Sequence, residues 1–178
     1  MSADRVRTFF AMWPDRPARE SLAALARTVA LASGGRPTRE ANLHVTVAFV
    51  GDVERAQIEA LAECGEWAAR SVASFPLALE RLGGTRSGLA WIEPARVPDA
   101  LAKLHAALAG ALREHGFTIE SRPFHPHVTL ARKGVAAPPR RASSPIAWRV
   151  DHLALVASVT GGGASTYGDL ARWTLLEA

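Results

Sequence analysis

Two hydrophobic rhythms alternate along this chain. Residues 5–13 have period two, with Val6, Thr8, Phe10 and Met12 on one face and Arg7, Phe9 and Ala11 on the other, which predicts a strand. Pro14-Asp15-Arg16-Pro17 breaks it, and a helix is expected to start at Asp15 or just after. Leu22, Leu25, Ala26 and Val29 then recur at helical spacing until Gly34-Gly35. Residues 43–50 return to period two. Leu43, Val45, Val47 and Phe49 are expected on one face and His44, Thr46 and Ala48 on the other, before a turn at Gly51-Asp52. A second helix is expected over roughly 54–70, on the stripe Ile58, Leu61, Ala62 and Gly65. Strands follow at 75–82 and 89–92, separated by the turn at 83–88. Pro98 and Asp99 open a third helix, with Leu101, Leu104, Ala107, Leu108 and Leu112 inward and Gly116 closing it. Residues 118–120 read as extended or a short strand, 127–132 as a strand and 133–145 as a basic, Pro- and Ser-rich loop. Residues 146–158 read as one long strand, 161–163 as a hairpin tip and 167–176 as the last strand.

This order repeats. A strand containing Phe9 leads through a helix to His44-Val45-Thr46, and a strand containing Trp91 leads through a helix to His127-Val128-Thr129. The separations are 35 and 36 residues. Equal element order at equal spacing predicts two copies of one strand–helix–strand unit, around residues 5–50 and 89–132, in two intertwined lobes of a single domain spanning 1–178. Copies related by a pseudo-twofold axis would turn both His-x-Thr strands toward one cleft.

Composition narrows the chemistry. Apolar residues make up 48% of the 178, which suits a globular chain. No signal-peptide pattern and no uncharged run of transmembrane length is present, so no membrane association and a cytoplasmic location are expected. Cys64 is the sole cysteine. It can form neither an internal disulfide nor a thiolate cluster, and is expected to be a small buried residue near Ile58, Leu61 and Trp67. The net charge of +4 is compatible with a phosphate-bearing partner without demanding one. Patterns for a phosphate-binding GxxxxGK[ST] loop, a dinucleotide-binding GxGxxG turn and a GxSxG nucleophile elbow are all missing.

Two histidines suit phosphodiester hydrolysis without a metal. Imidazole titrates near pH 6.5, so one ring can take a proton from water while the other gives one to a leaving oxygen. A hydroxyl two residues on shares the histidine's strand face and can donate to the phosphoryl oxygens. His44 and His127 are therefore the candidate catalytic residues. Thr46 and Thr129 are candidate phosphate ligands, with Arg132 as a guanidinium clamp. A metal site could be assembled from His44, His125 and His127, but no carboxylate or thiolate accompanies them at a zinc-like spacing. His125 is a candidate RNA contact that either tunes the site or caps the strand. His105 and His115 are expected to be structural or solvent-facing. Phe10, Phe124, Trp148 and Tyr167 are candidate platforms for a base, with core packing as the competing role for Phe10; Trp91 and Trp173 are assigned to the core.

His44-Val45-Thr46-Val47-Ala48-Phe49 with Gly51-Asp52-Val53, and Pro126-His127-Val128-Thr129-Leu130-Ala131-Arg132, resemble the two signatures of the two-histidine (2H) phosphoesterases. Within that superfamily the chain is most similar to the RNA 2′,3′-cyclic phosphodiesterases, also called 2′-5′ RNA ligases. Arg7-Thr8-Phe9-Phe10-Ala11, Glu40-Ala41-Asn42-Leu43 and residues 167–173 extend the similarity over nearly the whole chain. The resemblance implies a bilobal α+β fold, with an antiparallel sheet in each lobe, helices outside and a central active-site cleft. It implies hydrolysis of RNA 2′,3′-cyclic phosphate ends to 2′-phosphomonoesters, with reversible 2′-5′ ligation of the same ends to a 5′-hydroxyl. His44 would be the proton donor to the 3′ oxygen and His127 the base on water; the threonines and Arg132 would bind phosphate. Neither metal nor cofactor is implied. The expected partner is single-stranded RNA or a tRNA fragment, and the expected state is a monomer without an obligate protein partner. A non-catalytic RNA-end binding module, and a 2H enzyme for small cyclic nucleotide-like metabolites, are the other readings.

Overall fold

The structure, a computed structural model, describes residues 4–135, 141–161 and 164–178. The chain runs β1 (Arg5–Met12), α1 (Arg16–Ser33), β2 (Arg36–Pro37), β3 (Val45–Glu54), α2 (Ile58–Ala69), β4 (Phe75–Gly84) and β5 (Ala90–Glu93). It continues through α3 (Asp99–Glu114), β6 (Val128–Arg132), β7 (Arg141–Val150), β8 (His152–Gly161) and β9 (Ala164–Thr174). Asp15 starts α1 by accepting from the Ala18 amide at 2.9 Å, a cap worth about 1 kcal/mol. Gly34 ends it in the left-handed region, at φ 69°. None of the described helices is long and apolar enough to cross a membrane.

The strands form one antiparallel sheet in the order β7-β4-β5-β6-β3-β1-β8-β9, with β2 added on β6. Its halves, β3-β1-β8-β9 and β6-β5-β4-β7, correspond strand for strand. They meet where Val45 pairs with Val128. The units β1–α1–β3 and β5–α3–β6 supply the inner strands. Their helices cross over: α1 lies against β6 and β7, while α3 lies against β3. The apolar stripes of both helices therefore enter one core, which joins Leu22, Ala26 and Val29 to Leu101, Leu104, Leu108 and Leu112. The opposite face of the sheet carries the cleft.

Several expected boundaries move. Gly51-Asp52 does not turn the chain; it lies inside β3, where Gly51 has φ 91°. Residues 146–158 are not one strand, because β7 ends at Val150 and β8 starts at His152. The loop expected over 133–145 ends earlier, since β7 begins at Arg141 and pairs along β4. Residues 118–120 form no strand. Of the expected hairpin tip, 162–163 lie outside the described residues.

The consequential difference is in β3. Against β1, Ala11 pairs with Thr46 but Phe10 with Ala48, leaving Val47 as an extra residue. Phe9 then pairs with Phe49 but Thr8 with Gly51, leaving Val50. Each extra residue is a bulge that resets the alternation. Phe49, expected in the core beside Val47, is instead 40% exposed and faces the cleft. His105 on α3 holds the first bulge: its Nδ1–H donates to the Val47 carbonyl at 2.8 Å. Its ring lies flat on Phe124, centroids 4.0 Å apart.

Candidate active site

Antiparallel pairing of Val45 with Val128 determines what stands around it. One residue further in either direction, Thr46 lies opposite His127 and His44 opposite Thr129. Both valines point into the core, so these four side chains share the other face. They line one cleft of about 760 Å³ together with Arg132 and Tyr167. Helix crossover and sheet pairing thus join two sites separated by 83 residues of sequence.

Backbone carbonyls fix both imidazole tautomers. His44 Nδ1 lies 2.7 Å from the Asn42 carbonyl and His127 Nδ1 lies 2.8 Å from the His125 carbonyl. A carbonyl only accepts, so each Nδ1 carries hydrogen and each neutral ring keeps its lone pair on Nε2. His44 Nε2 lies 3.0 Å from the Thr46 hydroxyl, which donates to the neutral ring. Asn42 is itself held, its side-chain amide donating to the Ser165 carbonyl at 2.9 Å.

The two rings have different surroundings. Phe9, Trp13 and Tyr167 surround His44, with centroids at 5.0, 5.4 and 5.4 Å. That burial lowers the His44 pKa to about 4. The Asn42 hydrogen bond opposes the shift, and the positive charges of His127 and Arg132 add to it. His127 is also lowered by burial, with the hydrogen bond to His125 and the Glu93 charge opposing and the charges of His125 and Arg132 reinforcing. Behind His127, the Trp91 and His125 rings stand 5.8 and 5.2 Å away. Both donate to one Glu93 oxygen: Trp91 Nε1–H at 2.6 Å and His125 Nε2–H at 2.6 Å. Burial would raise the Glu93 carboxyl, but these two hydrogen bonds and the charges of His125 and Arg81 bring it below its ordinary value.

Other expected positions need correction. Phe10 is fully buried and stacks on Trp173, and Trp148 is 4% exposed in the core; neither can serve as a base platform. Phe124 packs on the core under His105, outside the cleft lining. Trp91, assigned to the core, lies instead beside His127, where Gly83 leaves room for its indole; a Cβ there would overlap the ring. His105 is a clamp on the β3 bulge. Among the described residues no three His, Cys, Asp or Glu side chains are gathered so as to hold a metal ion.

Phe9, Arg7, Arg36, Arg39, Asn42 and Phe49 also line the cleft and were not singled out from sequence. Phe9 and Arg7 were readable there, since they share the face of β1 opposite Phe10. Phe49 was hidden by the bulges. Arg36 was hidden because a two-residue strand leaves no periodic signal.

The profile of the 2′-5′ RNA ligase superfamily matches residues 13–162. The RNA 2′,3′-cyclic phosphodiesterase of Escherichia coli (strain K12) is 33% identical over 96% of this chain and 97% of its own length. The crystal structure of E. coli LigT in apo form superposes with a TM-score of 0.86 at 29% identity, covering 98% of this chain and 99% of that one. LigT complexed with 3′-AMP gives 0.84 at 29% identity, over 96% and 98%.

Proposed function

The chain belongs to the 2′-5′ RNA ligase superfamily, and from that premise we propose that it is an enzyme opening the 2′,3′-cyclic phosphate at single-stranded RNA ends, tRNA fragments included, to a 2′-phosphomonoester, with His44 and His127 as its acid–base pair. The observation that carries this is the Val45–Val128 pairing, which gathers both histidines and both threonines on one cleft face.

In the proposed reaction His127 Nε2 takes a proton from water as the water oxygen attacks phosphorus. Its lowered pKa keeps that lone pair free at neutral pH. The bond from phosphorus to O3′ breaks, and O3′ takes the proton from His44 Nε2; the ester to O2′ stays. Thr46, Thr129 and Arg132 hold the non-bridging oxygens as charge builds there. Burial by its aromatic neighbours holds His44 at about 4, so without substrate the ring is mostly neutral above that pH. The phosphate monoanion, bound against the ring, raises that value, so His44 takes up a proton from solvent as the substrate binds. With a 5′-hydroxyl in place of water as the nucleophile, the same steps form a 2′-5′ bond, and run backwards they cleave it.

The test is product analysis after incubation with a short RNA ending in 2′,3′-cyclic phosphate, with EDTA present. Conversion to a 2′-phosphate end is expected. A 3′-phosphate product would reverse the oxygen assigned to His44. Tight binding without conversion would make the chain an end-binding module, and neither binding nor conversion would point to a small-molecule substrate.

A further inference from the structure

The lining of the cleft is divided by charge. The side formed by β1 and β9 carries Phe9 and Tyr167, two of the rings that enclose His44. The side formed by β2 and β6 carries cations: Arg36 and Arg39 in and just after β2, Arg132 and Lys133 at the end of β6. None of the described lining residues carries a carboxylate. The reaction proposed above uses Arg132 and leaves the other three cations without a role. Arg36 is exposed and stands directly opposite Arg132 across β2 and β6, with Cα atoms about 5 Å apart, a like-charge pair that a second anion would relieve. Among the described residues, Lys133 is the one non-glycine with a positive φ, at 59°. Its strained backbone is held from the C-terminal side. The Gly134 amide donates to the Gly88 carbonyl at 3.0 Å, and the Val135 amide donates to the Ser33 carbonyl at 2.8 Å. The chain thus keeps an unfavourable conformation at a residue whose side chain lines the cleft.

We infer that Arg36, Arg39 and Lys133 form a second phosphate subsite, which takes the backbone of a second RNA strand, the one whose 5′-hydroxyl is joined to, or released from, the reacting phosphate. This rests on the cyclic-phosphate reading above. The geometry of displacement sets the side. The nucleophile attacks phosphorus opposite O3′, and O3′ is at His44, so the nucleophile enters at His127, on the side of the cations. Water entering there brings no further phosphate, whereas a 5′-hydroxyl brings its whole strand. In joining, His127 Nε2 takes the proton of the 5′-hydroxyl and the bond from phosphorus to O5′ forms. The bond to O3′ breaks, and His44 gives O3′ its proton. In cleavage the O3′ hydroxyl attacks and gives its proton to His44, and O5′ leaves with the proton of His127. Contacts to backbone charge position a strand without reading its bases, so the subsite selects for downstream phosphates and not for sequence.

The experiment measures kcat/KM of the full chain for cleavage of two oligoadenylates that share a 2′-5′ bond, one releasing adenosine and the other a 5′-hydroxyl triadenylate. Hydrolysis of adenosine 2′,3′-cyclic phosphate and of a triadenylate ending in the same group is followed in parallel, with Arg36→Ala, Arg36→Lys and Lys133→Ala alongside. At low salt the unaltered protein is expected to prefer release of the triadenylate by about tenfold, and the preference should shrink as salt rises. Arg36→Ala and Lys133→Ala should each remove most of that preference while both cyclic phosphates are hydrolysed nearly as before; Arg36→Lys should retain most of it. Equal kcat/KM for the two 2′-5′ substrates in the unaltered protein, or cleavage of neither with cyclic phosphates still hydrolysed, would overturn the subsite and leave the hydrolysis standing. Equal losses on all four substrates in the alanine variants would overturn it too, by showing that these cations serve the reacting phosphate. A loss on the cyclic triadenylate without one on the cyclic mononucleotide would place the upstream strand there and overturn the assignment. Turnover of no substrate by the unaltered protein would overturn the reaction and the subsite together.

Discussion

The two halves of the sheet present the same strand to the cleft but brace its histidine with different chemistry. In the first half, Phe9, Trp13 and Tyr167 surround His44, and the Trp13 indole is anchored by its N–H to Asp169 at 2.9 Å. Asp169 pairs with Arg172, so little of its charge is left for the ring. In the second half, Trp91 likewise rests on His127 and is anchored to Glu93, but that carboxylate also holds His125, whose own carbonyl fixes His127. One ring is therefore desolvated by aromatics. The other is desolvated less and feels a nearby negative charge. Repeating a unit gives the site its symmetry, and changing what lies behind each ring gives the two histidines different surroundings, so that burial holds both below their ordinary pKa while a carboxylate opposes the shift at His127 alone.

The largest effect should come from removing either ring. His44→Ala and His127→Ala are each expected to lower kcat by about 10³-fold. The double variant should be little worse than either single one, since the pair acts as a unit. Single-turnover assays on a cyclic-phosphate RNA check this, with circular dichroism confirming the fold. A single variant with near-normal turnover would end the symmetry of roles.

Thr46 and Thr129 separate the halves next. Each threonine→valine change should lower kcat by about 10²-fold through loss of a donor to the phosphoryl oxygens. Thr46→Val also removes the partner of His44 Nε2, so it should displace one limb of the pH profile, whereas Thr129→Val should lower the profile without moving it.

The pH dependence of kcat/KM should be bell-shaped with both limbs below pH 6.5 and the acid limb near pH 4, because both free-enzyme pKa values are lowered. The kcat profile should lie at higher pH, since the bound phosphate anion raises both. Glu93→Gln keeps a hydrogen-bond acceptor but removes the charge that raises His127, so the upper limb of kcat/KM should move to lower pH. An unmoved upper limb would show that Glu93 serves packing alone.

The smallest effect is on stability. A ring with a lowered folded-state pKa binds its proton more readily in the unfolded chain. Stability should therefore rise with pH between about 4 and 6.5 and be lost as pH falls through that window. Urea midpoints of the unaltered protein and of His44→Gln should converge toward pH 4, because only the former has this ring to lose.

What was legible in the sequence was whatever repeated or alternated. The strand–helix–strand spacing and the two His-x-Thr pairs announced the inner strands and the cleft-facing side of Thr46 and Thr129. The helix ends were announced by Asp15 and Gly34. What was hidden depended on partners distant in sequence. The bulges at Val47 and Val50 arise from pairing with β1 and from the His105 clamp, so alternation alone put Phe49 in the core. Trp91 and Trp148 are both apolar strand residues, and only register decides that one lies by His127 while the other is buried. Glu93 gave no signal at all, because its importance comes from His125, 32 residues away.

The most direct test of the account is a titration of the histidine rings by NMR in the isotopically labelled full chain, without substrate and then with inorganic phosphate. Among the six histidines, His44 is expected to titrate near pH 4 and His127 below its ordinary value, with both moving upward when phosphate binds. Two rings titrating together at 6.5 would contradict the claim that the two halves hold their histidines in different surroundings.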